Sequence, residues 1–250
     1  MASQLKTITL KRGKEESLLR FHPWVFSGAI AHLPEGIEEG ETVRVEAADG
    51  RPLGVGHYEI GSIAVRLLDP TEREIGAEFY AERLAQAWNL RQRLGLIRPD
   101  NTTFRLVHGE GDFLPGCVVD IYGDTAVLQA HSPGMHYARN IIANELTRLP
   151  DAHIRNVYYK SETTLPFKAR LDPVNDYIIG GFDTNIAVEN GLKFNIDWLK
   201  GQKTGFFVDQ RDNRALLQRF SAGARVLNMF CYTGGFSVYA MRGGAELVHS

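Results

Sequence analysis

The sequence is poor in cysteine: Cys117 and Cys231 are its only thiols in 250 residues. Two distant thiols build neither a disulfide framework nor a zinc site, and such sparing use fits a reducing compartment. An excess of one charge is also missing. Lysine and arginine number 28 against 30 aspartates and glutamates, a formal net charge of -2. No global basic field therefore marks the chain as a nucleic-acid binder, and any basic patch must be local. No apolar run approaches the roughly 20 residues of a membrane-spanning helix. Residues 1–10, MASQLKTITL, lack the apolar core of a signal peptide. The eight histidines show no His-x-x-x-His or other metal-ligand spacing. Internal repeats and low-complexity tracts are absent. What remains is 44% hydrophobic and 23% charged residues, which excludes a wholly disordered chain. A soluble, cytoplasmic protein with neither membrane nor metal partner is expected.

Three regions succeed one another. Residues 1–74 hold short alternating runs at 6–10, 42–47, 53–58 and 63–68, separated by turn signals such as Pro34-Glu35-Gly36 and Ala48-Asp49-Gly50. That pattern predicts a small barrel or compact sheet. Between the strands, residues 17–30 are dense in aromatics and carry Arg20 and His22. Rings beside cations stack on and pair with RNA. The commoner fate of Phe21, Trp24 and Phe26 is burial in a core. Lys11, Arg12 and Lys14 add cations near Arg20; a short basic run is more often a solvated strand end.

Residues 75–183 predict an α+β region. Phe79, Leu84, Trp88 and Leu94 give residues 78–96 a helical apolar stripe. Strands are expected at 104–107, 117–122, 125–130 and 154–160, with a hairpin turn at Gly123-Asp124 and a second helix at 135–149. The glycine-rich loop 109–116 is not a P-loop, since it lacks the Gly-Lys-Ser/Thr ending; it is read as a tight turn that can face a ligand. The polar, proline-bearing stretch 161–177 is the best linker candidate.

Residues 184–250 carry the chemistry. Glu189-Asn190-Gly191 predicts a hairpin turn. The run GQKTGFFVDQRDNR at 201–214 combines two glycines, two phenylalanines and several side-chain donors before a helix at 210–220. Donors at a helix start bind carboxylate or phosphate; the plainer reading is a helix entry capped by Asp209. An apolar strand at 225–230, the turn CYTGGF at 231–236, a helix and a further strand then make the opening of a doubly wound nucleotide-binding fold. The turn is not Gly-x-Gly-x-x-Gly, which argues against a dinucleotide.

Together, residues 17–30, 109–116, 201–214 and 226–240 resemble the S-adenosylmethionine-dependent 23S ribosomal RNA (cytosine-C5) methyltransferases that carry an N-terminal PUA domain. The resemblance covers nearly the whole chain. It implies a mixed α/β multidomain fold: a PUA-like RNA-binding β-barrel at 1–74, a central α+β domain at 75–183, and at 184–250 the start of a Rossmann-like cofactor domain. It implies S-adenosylmethionine as cofactor and ribosomal RNA as partner, and a homodimer is left open. Cofactor contacts are expected from Lys203, Thr204, Phe206, Gln210, Asn228, Phe230, Tyr232, Thr233, Gly234 and Gly235. RNA contacts are expected from Lys11, Arg12, Lys14, Arg20 and His22. Lys203 and Thr204 suit a carboxylate, and Phe206 or Phe230 suits a sulfonium.

The catalytic motifs of that family are expected beyond Ser250, so that this chain alone is expected to be inactive. Cys231 sits in the cofactor turn and is read as a packing residue, not as the nucleophile that attacks C6 of cytosine. Cys117 is expected to be buried in a strand. The alternative to the enzyme is a non-catalytic RNA-binding protein built from the first two regions. An oxidoreductase fragment is weaker, because it leaves residues 201–214 without a role.

Overall fold

The computed structural model describes residues 5–166, 169–171, 173–182 and 184–250. Strands β1 (Thr7–Leu10), β2 (Trp24–Phe26), β3 (Ile30–His32), β4 (Thr42–Glu46), β5 (Pro52–Tyr58) and β6 (Ile63–Asp69) form one sheet in the order β2-β6-β5-β4-β1-β3. The alternation that predicted β4 puts Val43 and Val45 inside with Ile8, Leu10, Val25 and Val65. Where the pattern predicts a small barrel or compact sheet, and the resemblance a PUA-like barrel, the sheet is a half-barrel. Its edge strands β2 and β3 are three residues long, too short to close a seam, and the 3₁₀ turn Ser27–Ala29 joins them.

The aromatic segment departs from the commoner reading of its rings. Phe21 is 83% exposed and Phe26 48%. Phe21 has left-handed backbone (φ 62°) just past helix α1 (Glu16–Leu19), and Phe26 takes the outward position beside buried Val25. Trp24 is half-buried.

A second sheet runs β11-β10-β9-β8-β7, built from β7 (Thr103–His108), β8 (Cys117–Tyr122), β9 (Thr125–Ala130), β10 (Asn156–Tyr159) and β11 (Asp176–Ile179). Helices α2 (Ala77–Arg93) and α3 (Pro133–Thr147) cover one face. Helix α3 starts at the Ser132 cap with Pro133 behind it and crosses between the parallel strands β9 and β10. Phe79, Leu84 and Trp88 line the core, as the stripe predicts; Leu94 falls just past the end of α2 and is exposed. Cys117 is buried in β8, and burial pushes its thiol up to about 12.

The expected linker is partly built into this sheet. Ser161 is fully buried, its Oγ accepts from the Ala130 N–H (2.8 Å), and Asp176 and Tyr177 open β11. Phe167, Lys168 and Asp172 of that stretch, and Asp183 at the expected regional boundary, lie outside the described residues.

The other face of the sheet, at Tyr122, Val127 and Tyr158, packs against the C-terminal region. Strands β12 (Ile186–Glu189) and β13 (Leu192–Asn195) form the predicted hairpin, with Asn190 and Gly191 both at positive φ (49° and 77°). Trp198 stacks flat on Tyr122, centroids 6.1 Å apart. Helix α4 (Arg211–Arg219), β14 (Arg225–Leu227), α5 (Gly235–Arg242) and β15 (Leu247–His249) complete the chain, and β14 and β15 pair in parallel across α5. Asp209 does not cap α4. A 3₁₀ turn, Val208–Gln210, leads into the helix, and the Asp209 carboxylate accepts from Gln210 Nε2 instead.

Two buried groups hold these layers together. Arg214 of α4 donates from Nε and Nη2 to the Glu189 carboxylate (2.8 and 2.6 Å), and both side chains are essentially inaccessible. Tyr239 Oη donates to the same carboxylate (2.9 Å); burial, then Glu189, pushes that phenol up to about 12. Between the two sheets, His57 of β5 lies against Gly134 of α3, where an added Cβ would fall inside the imidazole. Burial lowers His57 from 6.5 to about 4.

Removing one partner of the buried pair strands a charge. Glu189→Ala and Arg214→Met should each cost about 3–5 kcal/mol in urea unfolding, and the double change less than their sum. For His57, the unfolded state takes up a proton below about 6.5 while the folded ring stays neutral down to about 4. Stability should therefore fall as pH drops through that window. Unfolding at about pH 7 and pH 5 should show a loss about 2 kcal/mol larger in this chain than in His57→Gln.

Candidate functional site

The two motifs of the C-terminal region meet in space. The turn after β14 has three left-handed positions, Phe230 (φ 59°), Tyr232 (φ 49°) and Gly234 (φ 72°). They fold the chain back sharply and aim Tyr232 at the loop 201–205. Its hydroxyl accepts from the Gln202 N–H (2.8 Å) and donates to the Gly205 carbonyl (3.1 Å), while its ring meets Phe207 edge-on at 5.3 Å. The turn and the loop are thus latched into two walls. Gly234 caps α5 without a side chain, so among the described residues no side chain caps the first turn of the helix. Such an end suits a carboxylate. Asn228 Nδ2 donates to Ser237 Oγ (2.7 Å) and fixes the floor of the turn.

The expected cofactor residues divide into two sets. Lys203, Thr233 and Tyr232 are exposed, Phe230 is 97% exposed, and Gln210, Asn228 and Gly234 are half-buried. Gly235 is buried at the start of α5, 3.1 Å from Arg214 Cδ to where its Cβ would stand. Thr204 and Phe206 face inward, against expectation. The Thr204 hydroxyl donates to Asp120 Oδ2 (2.6 Å) and meets Tyr122 Oη at 2.9 Å. Asp120 is itself fully buried and held bidentately by Arg105 (2.8 and 2.9 Å). Phe206 lies under the Arg214 guanidinium, 4.6 Å from its ring centroid, and beside Phe194. Neither side chain is open to a ligand; both anchor the loop. Cys231 is half-buried in the same turn.

The second candidate surface lies on the half-barrel. Lys11, Arg12, Lys14, Arg20 and His22 are all exposed. Lys11 Nζ reaches the Gly28 carbonyl (2.9 Å), Arg20 pairs loosely with Glu16 (3.5 Å), and His22 Nδ1 accepts from the Trp24 N–H (3.2 Å). His22, Trp24 and Phe26 cluster with ring centroids 5.5 to 6.3 Å apart. A cavity of about 340 Å³ opens there, lined by Lys14, Ser17, Trp24, Phe26 and Gly28 among others. Exposed rings among exposed cations are the elements of single-stranded nucleic-acid contact.

Sequence reasoning missed the residues that join these surfaces. Glu110, in a 3₁₀ turn of the glycine-rich loop, accepts from Trp24 Nε1 (2.8 Å) and Arg66 Nη1 (3.0 Å). Asp120 and Glu189 sit in apolar strands whose pattern reveals no partner. Only the presence of a carboxylate in an otherwise apolar run, as in Cys117–Tyr122, signals that something must neutralise it. Among the described residues no helix is long and apolar enough to cross a membrane, and no group of three or more metal-ligating side chains gathers.

Two family models match the chain. Residues 8–70 match the PUA-like domain, and residues 140–250 match the S-adenosylmethionine-dependent methyltransferase family. The chain is 41% identical over 250 residues to ribosomal RNA large subunit methyltransferase I of Shewanella denitrificans, and 38% identical over 247 residues to that of Aeromonas salmonicida. These matches cover 97% and 96% of this chain but 62% and 61% of the relatives, so the chain spans about three fifths of their length. They do not place catalytic residues past Ser250. A candidate S-adenosylmethionine-dependent methyltransferase from Streptococcus mutans shares the fold at TM-score 0.80 and 22% identity, over 98% of this chain and 62% of that one. A candidate methyltransferase solved in complex with SAH gives TM-score 0.81 at 22% identity, over the same shares. The chain therefore carries a PUA-like domain together with residues of an S-adenosylmethionine-dependent methyltransferase domain.

Proposed function

We propose that the protein methylates C5 of a cytosine in 23S ribosomal RNA, in the cytoplasm, with S-adenosylmethionine as donor. In this reading residues 1–74 hold RNA, residues 75–183 form the central support, and residues 184–250 open a Rossmann-like cofactor fold. One observation carries it: the Tyr232 latch brings the loop 201–205 against the turn 228–235, beside a helix end that no described side chain caps. The cofactor supplies a methyl group on a positively charged sulfur. The first turn of α5 suits its carboxylate, with Lys203 and Gln210 on the facing loop. Phe230 offers an open ring face to the sulfonium or the adenine. Asn228, Thr233, Gly234 and Gly235 shape the turn between them. Thr204 and Phe206 act from behind, through Asp120 and Arg214, by fixing where the loop stands.

On the RNA side, Lys11, Arg12, Lys14 and Arg20 supply phosphate contacts, while His22, Phe21 and Phe26 offer rings to unpaired bases. The Shewanella and Aeromonas relatives are called ribosomal RNA large subunit methyltransferases, which supports ribosomal RNA as the substrate.

Disrupting the gene in its source organism and mapping 5-methylcytidine in 23S ribosomal RNA tests the reading. One methylated cytosine should disappear and return on complementation. An unchanged map overturns the enzyme and favours the RNA-binding alternative. Replacing Lys11, Arg12, Lys14 and Arg20 together by alanine should flatten the slope of log K against log salt for single-stranded RNA by up to about 3; anisotropy titrations at several salt concentrations read it directly.

A further inference from the structure

Lys160 belongs to neither C-terminal motif, yet it reaches one of them. Strand β10 ends at Tyr159, and the Lys160 N–H carries the pairing one residue further by donating to the Leu128 carbonyl (2.9 Å). Side chains alternate between the faces of a sheet. Tyr159 packs on the side of α2 and α3, and Tyr158 on the side of the C-terminal region. Lys160 therefore returns to the Tyr158 side, where the loop 201–205 lies.

Its ammonium donates to the Gly201 carbonyl at 2.5 Å. A charged donor makes a shorter and stronger bond than a neutral one. The side chain is half-buried; burial lowers its pKa, and the charge of Asp197 opposes that. A cation drawn out of water is costly without an opposite charge. Among the described residues, however, Lys160 makes no ion pair. Asp197 Oδ1 is taken by the N–H groups of Leu199 and Lys200 (3.0 and 2.9 Å). The fold thus keeps a half-buried cation and sets it on a single backbone carbonyl.

That carbonyl belongs to a crowded point of the loop. The Gly201 N–H donates to the Asp197 carbonyl (2.9 Å), and a Cβ at Gly201 would stand 2.2 Å from the same oxygen and 2.7 Å from Tyr232 Oη. On either side of Lys203 the loop is held. Lys160 binds Gly201, Tyr232 binds Gln202 and Gly205, and Asp120 binds Thr204. Lys203 itself is exposed, its side chain makes no bond among the described residues, and its backbone is left-handed (φ 53°). A residue with a Cβ is strained there, and such strain persists where the surroundings over-determine it, most often at ligand sites. The anchors therefore present Lys203 in a set position.

We propose that Lys160 is a positioning residue for the cofactor: its ammonium fixes the Gly201 end of the loop and so sets where Lys203 stands, without itself touching the cofactor. The proposal rests on the reading of residues 201–205 as a cofactor wall.

The test uses the 250-residue chain. Hydrogen–deuterium exchange without cofactor reads the loop, and calorimetric titration with S-adenosylhomocysteine reads the wall. In Lys160→Met the amides of residues 199–205 should exchange about tenfold faster while those of α2 and α3 keep their rates. The same variant should bind S-adenosylhomocysteine about tenfold more weakly, because the loop must then be ordered at the moment of binding. Lys160→Arg keeps the charge and the reach, and should return both readings to within about twofold of the unchanged chain. A lysine that only stabilises the sheet would shift the melting temperature and leave the loop rates and the affinity of the folded chain as they are; that result overturns the assignment. Faster exchange with full affinity overturns it too, and both results leave the cofactor reading intact. Where Lys160→Met does not fold, Lys160→Gln, polar but too short to reach Gly201, takes its place, and failure of both to fold overturns a role confined to the loop. Failure of the unchanged chain to bind S-adenosylhomocysteine overturns the cofactor reading and the positioning role with it.

Discussion

The buried pair of Arg214 and Glu189 is the constraint on which the C-terminal third depends. Each charge alone is costly in an apolar interior, so each position is acceptable only with the other in place. The geometry satisfies both. Arg214 also donates to the Phe207 carbonyl (3.1 Å) and covers the Phe206 ring, and the carboxylate takes a third bond from Tyr239. One interaction thereby joins the β12–β13 hairpin, the loop at 201–210, α4 and α5. It also explains a small residue at Gly235, whose Cβ would press on the Arg214 side chain. The first turn of α5 stays close to α4 for that reason, and the proposed cofactor turn inherits its position.

The central sheet is the second organising element, because it has two occupied faces. Helices α2 and α3 pack on one, and Trp198, Phe194 and Phe206 on the other. The polar link across the second face runs from half-buried Arg105 through Asp120 to Thr204, the last two fully buried and hydrogen-bonded. A loop rich in glycine would otherwise be free to wander. At the other end, His57 against Gly134 and Glu110 between Trp24 and Arg66 fasten the half-barrel to the same scaffold. The proposed RNA face and the proposed cofactor walls are thus carried on one support.

Much of this was legible in the residues. Alternation located β4, β5 and β6, the Asn-Gly turn located the β12–β13 hairpin, and helical spacing located α2. Both C-terminal motifs were visible as unusual runs. The inward turn of Thr204 and Phe206 was not, because spacing within a loop does not say which side chains face a ligand. That depends on Asp120 and Arg214, which lie 84 positions before Thr204 and eight positions after Phe206. The exposure of Phe21 was hidden for a related reason. Composition favours burial of any phenylalanine, whereas the left-handed backbone after α1 decides this one. The half-barrel, too, arises from the brevity of β2 and β3 rather than from the alternation that predicts strands.

The Asp120–Thr204 bond bears on how this architecture can be rearranged. A loop whose anchor lies in another sheet is not a portable cassette. Grafting residues 201–214 onto a different methyltransferase scaffold would transplant the visible motif and leave behind the carboxylate that sets its height. Recombination between relatives would be tolerated only at crossover points that keep β8 and the loop from the same parent. The middle of the chain, which holds the loop of the proposed cofactor walls through Asp120 and Lys160, is in this sense inherited with them.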